Sequence, residues 1–213
     1  MPLIEVFAPQ GVSYVGDGEL ARICKIAHNV MLGVVIENLI EITLLANKMG
    51  VPRHAFLAFF NNSVMGSMFT AYKSPALVNL DWTTTFTPEL LRKDLDLGLE
   101  LGREMDVPMP VTAATREVLQ THFGAATLQK DPQAYLAKDF AALMETMALA
   151  AGMTLESENQ NVPTGLESGG HGTARGPASR LRSAADCSTE MVEQSTSTAG
   201  TPPFAVSAPS LPK

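Results

Sequence analysis

The chain has 213 residues, 46% of them hydrophobic, with 22 acidic against 15 basic side chains and a formal net charge of −7. That balance argues against a general nucleic-acid or anionic-membrane binder, which needs a basic face. Two cysteines exclude a disulfide-rich secreted scaffold and a zinc site built from thiolates.

The N-terminus shows no basic stretch leading into an apolar run, so no secretory signal is expected. No 18-residue stretch is free of charged or strongly polar groups, so no membrane span is expected and the chain reads as cytoplasmic. Val12-Ser13-Tyr14-Val15 is the nearest approach to a strand alternation. Gly16-Asp17-Gly18-Glu19-Leu20-Ala21 matches the G-x-G-x-x-A loop of dinucleotide-binding sheets. The match fails on context. No second strand follows, because apolar residues recur at three- and four-residue spacing from Leu20 through Ile23, Ile26, Val30, Val34, Leu39, Ile42 and Leu45 to Met49. This predicts one long helix over about 19–49, stopped by Gly50. It is apolar on more than one side, as a helix surrounded by others or shared with a partner subunit would be.

A short helix is expected from Arg53 to Asn61, then a Met-, Ser- and Gly-rich loop from Asn62 to Thr85. Thr87-Pro88-Glu89 opens the next helix with a cap and a first-position proline, and it runs to about Met105. Asp106-Val107-Pro108-Met109-Pro110 breaks the chain. A helix follows from Val111 to His122, ending at Gly124, and Asp131-Pro132 caps a last helix carrying Tyr135, Phe140, Leu143 and Met147. Residues 1–154 therefore read as an all-α domain built around one long helix. Residues 155–213 carry nine Ser, six Thr, six Gly and six Pro. Too little apolar surface remains there to offset chain entropy, so a disordered tail is expected.

Few residues stand out for chemistry. Lys25 and Asn29 are four apart and share one face of the long helix, with Arg22 and His28 nearby. A lysine near a helix start beside an arginine is a candidate general acid/base, and Asn29 could hold a substrate oxygen. Arg92-Lys93-Asp94 lies in the helix opened by Pro88, and Phe86 just precedes that helix. Spacing alone favours a solvated helix face for the first group and an exposed charged turn for the second. Cys24 reads as a buried inert thiol and Met65–Met68 as core filler. His54 and His122 have no partner at a ligand spacing, so no metal is expected.

Taken in order, several short runs resemble a known family. They are Tyr14-Val15-Gly16, Lys25 nine residues later, Asn29, Glu41, and Lys48-Met49-Gly50-Val51. Phe86-Thr87-Pro88-Glu89-Leu90-Leu91-Arg92-Lys93-Asp94-Leu95 then fits an F-x(6)-K-D-L pattern, followed by Val107-Pro108-Met109-Pro110. Residues 3–152 so resemble the C-terminal domain of the β-hydroxyacid dehydrogenases, such as 3-hydroxyisobutyrate dehydrogenase and, more distantly, 6-phosphogluconate dehydrogenase. The resemblance implies Lys25 as the proton-transferring lysine, Asn29 as substrate-binding, and Phe86 and Lys93 as contacts to NAD or NADP. It implies a small 3-hydroxyacid or semialdehyde as substrate and a homo-oligomer formed through the helices. His28 replaces the Asn that usually precedes Asn29, and Arg22 stands where the family favours glycine. The N-terminal Rossmann half is not in this sequence, so the chain is expected to be a catalytic-lysine domain that is inactive alone. A non-enzymatic helical dimerisation module is the alternative.

Overall fold

The apolar repeat that starts at Leu20 folds as a single helix, α1 (Leu20–Lys48). Gly50 ends it with a φ of +94°, a conformation a β-carbon disfavours, and Val51 N donates back to Ala46 O at 3.0 Å. The structure is a computed structural model and describes residues 11–166. Among these residues every regular element is helical. By length and composition α1 is able to cross a membrane, contrary to the expectation from sequence. Its few charged residues are spread too thinly to lower its hydropathy. Here it buries Ile26, Val30, Ile36, Leu39, Ile40 and Leu44 against the other helices.

The remaining elements wrap this axis. They are α2 (Arg53–Asn61), α3 (Met68–Asn79), α4 (Pro88–Glu104), α5 (Pro110–Ala126), α6 (Pro132–Leu136), a 3₁₀ turn (Phe140–Ala142) and α7 (Leu143–Ala150). Contacts from α1 reach α2, α3, α4, α5 and α7. The crossing with α4 is close because two glycines meet side chains there. A β-carbon on Gly98 would lie 2.3 Å from Val30 Cγ2, and one on Gly33 would lie 2.9 Å from Leu91 Cδ1.

Three sequence expectations are corrected. The loop expected over 62–85 contains α3, nucleated by a capping box in which Thr70 N donates to Ser67 Oγ (3.1 Å) and Ser67 N to Thr70 Oγ1 (2.9 Å). Pro75 lies inside that helix, so a breaker signal was overridden by packing. The helix expected to stop at Gly124 continues to Ala126, because Gly124 does not take the left-handed backbone that ends a helix. The single last helix is interrupted at Asp139, whose backbone is extended because its carboxylate is held by other parts of the chain.

Asp139 is 1% exposed. It accepts from Lys73 Nζ at 2.8 Å, from Thr85 N at 3.0 Å, from Thr85 Oγ1 at 2.7 Å and from Ala141 N at 3.0 Å. Burial works to raise its carboxyl, but these hydrogen bonds outweigh burial and hold it below the usual carboxylate range. His122 is also fully buried. It stacks on Tyr135, and Nδ1 meets Thr146 Oγ1 at 2.9 Å. Burial is the main reason its imidazole is pushed down to about 4.

The packed chain does not end at Thr154, as the composition had suggested. Met153, Leu155 and Val162 pack on the core. The carboxylate of Glu158 accepts from Arg53 N (2.7 Å), His54 N (2.9 Å) and His54 Nδ1 (2.8 Å). It thereby caps α2, whose own cap position is Pro52 and has no side-chain acceptor. The buried Arg53 guanidinium donates to Leu77 O, Val78 O and Glu156 O, closing the end of α3 and fixing the same segment. The rest of the expected tail, 167–213, lies outside the described residues. Glu158→Ala is expected to lower unfolding stability by about 1–2 kcal/mol, the range for a lost helix cap. Urea denaturation at neutral pH checks this, and an unchanged midpoint would contradict the cap.

Candidate functional site

Near the start of α1, one turn of helix separates Lys25 from Asn29, and both side chains turn toward α4. They meet Asp94. Lys25 Nζ lies 3.3 Å from each Asp94 carboxylate oxygen, and Asn29 Nδ2 donates to Oδ2 at 2.5 Å. Lys93 Nζ forms an ion pair with Oδ1 at 2.8 Å. Asp94 is fully buried, whereas the Lys25 and Lys93 side chains are 55% and 52% exposed. Two ammonium groups and one amide therefore converge on a single carboxylate from outside. Burial acts to raise the Asp94 carboxyl, but the hydrogen bonds from Lys93, Asn29 and Lys25 hold it below the ordinary range. With Asp94 ionised, the cluster keeps one net positive charge at an open surface.

The chain of donors fixes the amide. An ionised carboxylate only accepts, so Asn29 must present Nδ2 to Asp94. Its Oδ1 then faces His28 Nδ1 at 3.1 Å. Arg22 does not join the cluster and is paired instead with Glu19. Asp94 is the member that sequence spacing passed over. The exposed charged turn expected at Arg92-Lys93-Asp94 is corrected: Asp94 is buried, and Arg92 lies over the Phe123 ring at 3.7 Å from its centre. A signal was present, since Asp94 stands on the buried stripe of Leu91, Leu95, Gly98 and Gly102. A carboxylate on a core stripe requires a partner.

The other candidates fall elsewhere. Phe86 is half-buried, sits edge-on to Phe140 with ring centres 5.8 Å apart, and its carbonyl accepts from Phe140 N at 2.9 Å. Cys24 is exposed, not buried. Met65 and Met68 are 66% and 54% exposed, so they do not fill the core as expected. They stand on the loop and first turn leading into α3, outside its buried face. His54 pairs with Glu158. Among the described residues no group of three potential metal ligands forms.

Residues 19–138 match the family described as NAD-binding of NADP-dependent 3-hydroxyisobutyrate dehydrogenase. The chain is 28% identical over 120 residues to 2-(hydroxymethyl)glutarate dehydrogenase of Eubacterium barkeri, covering 56% of this chain and 40% of that one. It is 24% identical over 154 residues to 3-sulfolactaldehyde reductase of Escherichia coli, covering 72% and 49% respectively. The chain thus spans about half the length of these curated relatives. The fold is similar to that of a Mycobacterium tuberculosis 3-hydroxyisobutyrate dehydrogenase solved with L-serine, at a TM-score of 0.53 and 18% identity, covering 62% of this chain and 45% of that one.

Proposed function

Because the chain belongs to the family of NAD-binding regions of NADP-dependent 3-hydroxyisobutyrate dehydrogenases, we propose that it supplies the proton-transferring half of an NAD(P)-dependent hydroxyacid dehydrogenase or semialdehyde reductase. The observation that carries this reading is the convergence of Lys25 and Asn29 on buried Asp94, with the Lys25 ammonium left half exposed. The substrate is a small hydroxyacid or the matching semialdehyde, in keeping with the names of the two curated relatives.

The residues fit a nicotinamide site in their chemistry. Both half-exposed ammonium groups are open to a ligand, and the net positive charge suits a substrate oxygen, a carboxylate or a phosphate. When bound, the nicotinamide exchanges hydride with the substrate carbon. Lys25 gives its proton to the substrate oxygen in reduction and recovers it in oxidation. Its charge stabilises the oxyanion that develops as the carbon–oxygen bond order changes. Asp94 positions the ammonium, and the same carboxylate orients Asn29 toward the substrate. Lys93 is proposed to meet the cofactor through its half-exposed side chain, and the half-buried Phe86 to meet it from just before α4.

We further propose that this half does not turn over alone, since the reacting carbons must be held about 3–3.5 Å apart by two walls of a cleft. The test follows NAD(P)H absorbance with a small semialdehyde. No turnover is expected from the purified 213-residue chain, and turnover is expected when the chain is joined to a nucleotide-binding half. Turnover by the chain alone contradicts the half-cleft reading. No turnover in any joined form favours the helical interaction module instead.

A further inference from the structure

A second feature of α1 has no part in that chemistry. Along another face of the helix runs a groove of about 1010 Å³. Its walls are Met31, Val35 and Ile42 of α1, Phe60 of α2, Phe69 of α3 and Val118 of α5. Lys25, Asn29 and Asp94 are not among its lining residues. Two carboxyls interrupt the apolar lining, Glu37 and Glu41, one helical turn apart. Glu37 is only 8% exposed, a burial that a carboxylate tolerates poorly without a partner. Among the described residues neither glutamate forms an ion pair, and no Lys or Arg lines the groove. The contacts present are a hydrogen bond from Asn38 Nδ2 to Glu41 at 3.4 Å and one between the two carboxyls. Burial first, and the charge of Glu41 second, push the Glu37 carboxyl up to about 7. A volume of this size, mostly apolar with its two carboxyls one helical turn apart, has the dimensions of a small-molecule site.

We propose that this groove binds an amphiphilic amine, with its alkyl or aromatic body along Val35, Phe60, Phe69 and Val118 and its ammonium between Glu37 and Glu41. The charge pattern selects this ligand class. An ammonium donates hydrogen bonds to both carboxylates and supplies the missing counter-charge. A fatty acid would add a third negative group to the pair. A neutral lipid would leave the two carboxyls with no counter-charge. The inference is independent of the dehydrogenase reading: Lys25, Asn29 and Asp94 do not line the groove, and His28, which lines it and faces Asn29, carries neither argument.

The experiment titrates the full chain at pH 8, above the raised value of the Glu37 carboxyl, with octylammonium, octanoate and octan-1-ol, each below its micellar concentration. Calorimetry or ligand-observed NMR gives the affinities. Octylammonium is expected to bind roughly tenfold more tightly than the other two, the gain of one charge-assisted contact. The double substitution Glu37→Gln with Glu41→Gln is expected to abolish that preference and leave octan-1-ol binding unchanged. Val35→Trp, which fills the groove and keeps both carboxylates, is expected to weaken all three probes with helix content by circular dichroism preserved. Equal affinity for the three headgroups overturns the proposal. So does a preference that survives the double substitution, or an absence of binding. A dimer by light scattering that the probes dissociate overturns it in favour of a second copy of the chain as the occupant.

Discussion

Asp139→Ala is expected to destabilise the domain by about 3–5 kcal/mol, the cost of leaving one member of a buried ion pair alone. Lys73 and Asp139 side chains are 4% and 2% exposed and meet at 2.8 Å. Removing the carboxylate strands the Lys73 ammonium against the Phe140 ring, 4.4 Å from its centre, with Thr85 Oγ1 as its remaining polar contact. It also strands the backbone N–H groups of Thr85, Phe86 and Ala141. The second loss makes the prediction specific. Lys73→Met combined with Asp139→Leu removes the charges together, which for a simple buried pair is often neutral. Here the double variant is expected to stay destabilised, because three donors still lack an acceptor. Chemical denaturation of the two single variants and the double variant measures this. The pH dependence has a definite sign. The Asp139 carboxyl is held below its ordinary value, so its contribution is present in full above about pH 4 and is lost as pH falls through its folded-state value. Asp139→Ala is expected to flatten the unfolding midpoint across that acid range. An unchanged acid slope would show that the carboxylate is not the titrating group.

Lys25→Ala is expected to slow turnover by about 10²–10⁴-fold in a polypeptide that carries the nucleotide-binding half, the usual contribution of a placed general acid/base. Lys25→Arg separates charge from proton transfer. A guanidinium keeps the positive charge but does not release a proton at working pH. Its turnover is expected to remain close to that of the alanine variant. Recovery to near the parental rate with Arg would show that charge, and not proton transfer, is what Lys25 supplies. A loss of less than tenfold with Ala would contradict the catalytic assignment. Asp94→Asn tests positioning. It keeps the volume of a side chain that touches Lys25, Asn29 and Lys93 and removes its charge. A smaller fall in turnover is expected, accompanied by a displaced pH–rate profile, which a merely structural role would not produce.

The legible features of this chain were local. The 3.6-residue repeat from Leu20 needs only neighbours one turn away to define α1, and the cap signals at Thr87-Pro88 and Asp131-Pro132 act within four residues. Lys25 and Asn29 could be placed on one face for the same reason. Two errors came from trusting local signals where distant partners decide. A Met-, Ser- and Gly-rich composition suggested a loop, yet α3 is stabilised by Leu77 and Val78 in the core and by Arg53 at its end. Composition ended the folded region at Thr154, yet Glu158 binds the start of α2 some hundred residues earlier.

By itself the sequence determined that the domain is helical, that one long apolar helix organises it, and that a lysine and an asparagine share a face near that helix's start. Helical periodicity and caps depend on interactions that span a turn, and these are written in the order of residues. What the carboxylates do was decided by the tertiary structure. In the sequence Asp94 reads as part of a charged turn, while Asp139 and Glu158 carry no signal of their own. Each instead collects donors from elements brought together by the packing of α1 against its neighbours. A buried carboxylate is defined by the partners that compensate its lost hydration, and for each of these three they include groups dozens of residues away in the chain.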